Sequence, residues 1–156
     1  MQFTNGLSCR QRAWRLLATA TATAVALCGA GPAIASSDSS PPPGGVYPLK
    51  PGIYVIQDTG CADPANAAIR LYDGKGISTA HTHACRAVVR AHAGNTFTVD
   101  QTCIDAGAGA APRFKEHQAI TVTDALTFSQ RIGGHDTTYH YCPANQLPAG
   151  LTGAAR

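Results

Sequence analysis

From Gly52 onward, apolar and polar residues alternate along the chain with a period of two, the spacing of strands that bury one face. Gly52-Ile53-Tyr54-Val55-Ile56-Gln57 reads as the first strand. In residues 68–72, Ile69 and Leu71 alternate with Arg70 and Tyr72, and Asp73-Gly74-Lys75-Gly76 then makes a turn. Residues 77–80 return as a short strand, and residues 85–91 form a valine-rich one with Arg86 and Arg90 interleaved. After a turn at Ala93-Gly94-Asn95, Phe97, Val99 and Cys103 share one face, with Thr96, Thr98, Asp100 and Thr102 on the other. Beyond a small-residue loop at 106–112, residues 114–123 point Ile120 and Val122 inward. Leu126, Phe128, Gln130 and Ile132 form the next face, Gly133-Gly134-His135-Asp136 turns, and residues 137–142 close with Tyr139 and Tyr141. The pattern predicts an all-β fold: a single small antiparallel meander, either a barrel or a two-layer sandwich. One helical turn fits Asp63-Pro64-Ala65-Asn66, with Asp63 as its cap.

The segments flanking this pattern have a different character. Arg10, Arg12 and Arg15 precede an apolar run from Leu16 to Ile34, and Ala33-Ile34-Ala35 offers small residues at a cleavage site. Residues 1–35 therefore read as a secretory signal peptide, which places the mature chain in the periplasm or outside the cell. Three of the twelve basic residues leave with it and none of the nine acidic ones, so 12 − 3 = 9 balances 9 and the mature net charge falls from +3 to zero. That removes the global electrostatic case for nucleic acid or an anionic membrane as partner. Residues 36–48, rich in Ser, Pro and Gly, read as a flexible tether, residues 49–142 as the domain, and residues 143–156 as a loose tail.

Removal of Cys9 and Cys28 leaves Cys61, Cys85, Cys103 and Cys142, an even set that reads as two disulfides in an exported domain. Three pairings are open. Cys61–Cys85 with Cys103–Cys142 is favoured, because the first closes a local loop and the second ties in the last strand.

Chemistry concentrates at His81-Thr82-His83-Ala84-Cys85. On an extended strand all three side chains would share one face, and imidazole with thiolate suits zinc or copper. This makes His81 and His83 candidate metal ligands, set against the reading that Cys85 is oxidised and the histidines are exposed. His81, His83, Glu116, His117 and Arg113 are the candidates for acid–base work in a small hydrolase, a Glu, a His and an Arg together suiting a phosphodiester. The chain carries no GxSxG, HExxH or P-loop motif, so a non-catalytic role without cofactor is favoured. Turns at 73–76, 106–112 and 133–138 put Lys75 and His135 at tips from which they can meet a partner.

The series Gly52-Ile53-Tyr54-Val55, Cys61, Tyr72-Asp73-Gly74-Lys75-Gly76, Cys85, Thr102-Cys103 and Tyr141-Cys142-Pro143 resembles a group of small exported proteobacterial four-cysteine β-proteins of mostly unassigned function. More distantly, size, export signal, disulfides and β pattern are similar to periplasmic lysozyme inhibitors. The Ser-Gly-containing, Lys-Tyr-ending stretch of the membrane-bound C-type inhibitor family is missing, so no inhibitory residue carries over. The expectation is a monomeric exported binding or inhibitory module for a protein target, a hydrolase such as lysozyme being one candidate. It would not insert stably in a membrane once the signal is removed. A periplasmic metal-binding protein using His81 and His83 and a hydrolase using His117 and Glu116 are the alternatives.

Overall fold

A computed structural model describes residues 42–105 and 113–153. The expected signal peptide, the first part of the expected tether, the 106–112 loop and residues 154–156 lie outside the described residues.

The alternating pattern becomes eight strands: β1 (Gly52–Ile56), β2 (Ile69–Tyr72), β3 (Ile77–Thr79), β4 (Thr82–Ala93), β5 (Thr96–Asp105), β6 (Arg113–Asp124), β7 (Thr127–Ile132) and β8 (His135–Cys142). All pairings are antiparallel and the sheet order is β3-β2-β1-β8-β7-β6-β5-β4. Because β1 pairs with β8, through Ile53 opposite Cys142 and Ile56 opposite Tyr139, the order closes on itself except between β3 and β4. The fold is thus all-β, a nearly closed up-and-down barrel, one of the two architectures the pattern allowed.

Three devices draw the β3–β4 seam together. The Ala87 N–H donates to the Lys75 carbonyl at 2.8 Å. Gly76 lies so close to the Cys85 backbone that a Cβ there would sit 2.7 Å from its carbonyl, so glycine is required. From β5, the buried Gln101 amide accepts from the Ile77 N–H at 2.7 Å and donates to the Ile77 carbonyl at 2.8 Å. A side chain thereby supplies both hydrogen bonds a neighbouring strand would have made.

Inward positions form the main core, including Tyr47, Leu49, Tyr54, Tyr72, Val99, Ile120, Phe128 and Tyr139. Residues 44–49 were expected to belong almost wholly to the tether, yet Tyr47 is 1% exposed. The segment straps one end of the barrel. The Val46 N–H donates to Gly74 O, the Lys50 N–H donates to Ala125 O, and the Tyr72 hydroxyl accepts from the Tyr47 N–H at 2.9 Å. A second, smaller core lies on the outer face of β1 and β2, where Ile53, Val55, Ile69, Cys142 and Leu147 pack with Cys61, Leu71 and Leu151. Leu147 and Leu151 bring part of the expected loose tail into this core, and the tail forms a 3₁₀ turn (Ala144–Gln146) and α1 (Ala149–Thr152). The helical turn expected at 63–66 lies slightly later, at Asn66–Ala68, where no side chain caps it.

The disulfides are Cys61–Cys142 and Cys85–Cys103, which corrects the favoured pairing. Cys85 and Cys103 face each other across the β4–β5 ladder, between the pairs His83↔Ile104 and Arg86↔Thr102. Cys61 lies in the β1–β2 connection, packed over the outer face where Cys142 emerges. Closing a local loop at Cys61–Cys85 and tying in β8 through Cys103 misses both bridges, because cross-strand position and a folded-back connection set the distances.

Candidate functional site

The His81–Cys85 stretch does not keep its alternation. Ala84 has φ +51, and the β4–β5 register slips by one residue between His83 and Arg86. This bulge turns Cys85 inward to Cys103, where it is 1% exposed, and leaves His83 exposed. His81 stands in the turn before β4, with its N–H donating to Thr79 Oγ1 at 3.1 Å. The shared face expected of His81, His83 and Cys85 is therefore broken, and the sulfur is committed to a disulfide.

Glu116 and His117 are consecutive on a regular stretch of β6, so they point to opposite faces. Glu116 is half-buried opposite Gln101, and His117 is exposed opposite Asp100. Arg113 donates to the Ala84 carbonyl at 3.2 Å. The expected acid–base group is thus not assembled. Lys75 and His135 sit at turns on opposite ends of the barrel, so they do not converge on one surface.

The structure assembles a different group on the outer face of β4, β5 and β6. Asp100 receives Arg90 Nε at 2.7 Å, Lys115 Nζ at 2.8 Å and His117 Nδ1 at 3.0 Å, and its side chain is only 14% exposed beneath them. Hydrogen bonds from Lys115, His117 and Arg90, in that order, hold the carboxyl well below the usual carboxylate range. Arg90 reaches it because a second bulge, between Val89 and Ala91, places it at a register slip. Arg86 and Lys115 flank Thr102 in the next row, and Arg113 faces Ile104 beyond. Val88, half exposed, pairs with Asp100 in the centre. A shallow depression lined by Thr98, His117, Ala119, Arg131 and Gly133 adjoins the group. Strand parity carried the signal for this face: Asp100 on one strand, flanked by Arg86 and Arg90 before it and Lys115 and His117 after it.

A second assembly lies in the smaller core. Among the described residues, Cys61, His140 and Cys142 bring three potential ligand atoms within 4.8 Å of one another. His140 Nε2 is 3.8 Å from Cys61 Sγ, while its Nδ1 is buried without a hydrogen-bond partner. The i, i+2 spacing of His140 and Cys142 on β8 carried part of the signal, but the proximity of Cys61 depends on the β1–β2 connection folding back.

Among the described residues no helix is long and apolar enough to cross a membrane. Compared with protein-family models, curated proteins and solved structures, the chain matches none.

Proposed function

We propose that this is an exported, non-catalytic binding module that engages an anionic surface of a protein partner through the outer face of β4–β6. One observation carries the reading: a single carboxylate, Asp100, is covered by Arg90, Lys115 and His117, so the group keeps a net positive charge. Because the mature chain is balanced overall, this positive face is a local feature. Local charge of this kind steers association and selects partners. The antiparallel barrel holds the cations on paired strands, so little ordering cost is added on binding. Export is supported by the N-terminal pattern and by two disulfides, which persist in oxidising compartments.

A carboxylate-lined cleft is a chemically matched target. Glycoside hydrolases cut with paired Asp or Glu residues, so a lysozyme is a fitting first partner to assay. The test measures lysozyme binding and inhibition by the mature protein and by an Arg90→Glu/Lys115→Glu variant. Expected are an association rate that falls as salt rises and, for the reversed variant, at least about tenfold weaker binding. Equal binding by both proteins, or no binding to an acidic-cleft hydrolase, sinks the proposal.

A further inference from the structure

The geometry points to a second site, formed by Cys61, His140 and Cys142: a zinc-binding centre that opens when their disulfide is reduced. Tetrahedral zinc takes thiolate sulfur at about 2.3 Å and imidazole nitrogen at about 2.0–2.1 Å, so one S···N edge of its shell is about 3.6 Å and the S···S edge about 3.8 Å. His140 Nε2 already stands 3.8 Å from Cys61 Sγ. The Cα atoms of Cys61 and Cys142 are 5.6 Å apart, so the sulfurs can separate to the S···S edge by side-chain rotation.

The imidazole has no competing engagement. Its Nδ1 is buried and without a partner, and the sulfur is the polar neighbour of Nε2. A buried polar atom left unsatisfied costs roughly 1–3 kcal/mol, so the ring is not held here by a hydrogen-bond network of its own. Val55 and Thr127 flank His140 across the ladders, and Leu147 packs beside Cys142, so the three ligands sit in a largely apolar setting. Cys142 is fully buried and Cys61 only partly, which leaves the Cys61 side for entry of the reductant and then the cation. Two thiolates and one imidazole make a soft set suited to zinc, with a fourth position left for water.

The chemistry balances with a dithiol as reductant. It delivers two electrons to the Cys61–Cys142 bond, the S–S bond breaks, each sulfur takes a proton, and the dithiol leaves as its own disulfide. Zn(II) then displaces both thiol protons to solvent and binds the two thiolates and Nε2. This site is separate from the β4–β6 face, and its test does not depend on any partner.

Zinc is titrated into the full mature chain, oxidised and reduced, with native mass spectrometry and a competing chromophoric chelator as readouts. The reduced chain is expected to bind one Zn(II) and the oxidised chain none, and His140→Ala to weaken binding by roughly two orders of magnitude through loss of one ligand. Failure of the reduced chain to bind one equivalent, or an unchanged affinity in His140→Ala, overturns the assignment. Should reduction unfold the chain, Cys61→His is read without reductant: Cys142 then has no disulfide partner and the Cys85–Cys103 bridge stays intact. Zinc is expected to raise the unfolding temperature of that variant, and an unchanged temperature overturns the proposal.

Discussion

Gln101 is a polar side chain at an inward position of β5, and it carries the ladder that β3 lacks on its open side. Replacement by Leu leaves the Ile77 N–H and carbonyl buried without partners, so Gln101→Leu is expected to destabilise by about 2–6 kcal/mol in urea unfolding, since each orphaned group costs roughly 1–3 kcal/mol. The tyrosines give a pH prediction. Burial, first among the causes, raises Tyr47, Tyr54 and Tyr72 above the ordinary value of 10.0. A folded-state value above the unfolded one means that the stabilisation is complete below pH 10 and is lost as pH rises beyond it. Tyrosinate absorbance of these rings is therefore expected to rise together with loss of the fold in alkaline titration, not before it. Asp100 has the opposite sign: its contribution is present above its ordinary 3.8 and fades as pH falls below that value. At this scale the sequence was only partly legible. Parity placed Phe97 and Val99 correctly, and Gln101 has the same parity. The left-handed Ala84 carries no Gly or Asn to announce the bulge that separates His83 from Cys85.

Among the elements, two tyrosine hydroxyls at the N-terminal strap behave oppositely, and the strap rests on one of them. Tyr72 Oη accepts from the Tyr47 N–H and donates at 2.7 Å to Gly44 O, so Tyr72→Phe is expected to cost about 1–3 kcal/mol. It should also speed hydrogen exchange in residues 44–49. Tyr47 Oη is buried with no partner, so Tyr47→Phe is expected to be neutral or to stabilise by about 1 kcal/mol. Equal losses from the two substitutions in thermal unfolding would contradict this account of the strap. Gly45 belongs to the same contact: its φ is +95 and a Cβ there would lie 2.2 Å from Gly74 O. Composition alone assigned this stretch to a tether because Pro, Ser and Gly dominate it. The better indicator was the pair Tyr47 and Leu49, two apolar residues spaced by two, which is the period of the strands that follow. Most strands were legible to within a residue or two from their alternation, but β4, almost wholly exposed, runs from Thr82 to Ala93 where the pattern predicts 85–91, and β8 begins at His135, where it predicts a turn.

For the whole molecule, the two disulfides differ in what they constrain. Cys61 and Cys142 are 81 residues apart and Cys85 and Cys103 are 18 apart. The chain-entropy relation assigns about 4–5 kcal/mol to the first and about 3 kcal/mol to the second. Removing each pair as a double alanine variant is expected to lower the unfolding temperature more for Cys61/Cys142 than for Cys85/Cys103. Closure of the barrel was not legible beforehand, since the β1–β8 pairing joins residues at opposite ends of the domain and no local pattern reports it. That same pairing has a kinetic consequence. Read from β4 through β8 and on through β1 to β3, the sheet order is simply sequential, so the molecule is a meander whose chain happens to be cut between β8 and β1. A circular permutant starting at His81 and ending at Ala80, with the old ends joined by a flexible Gly/Ser linker, makes the most distant pairing a local one. Folding rates rise as contacting residues come closer in sequence, so the permutant is expected to refold faster than the native chain in stopped-flow measurements while keeping the same barrel.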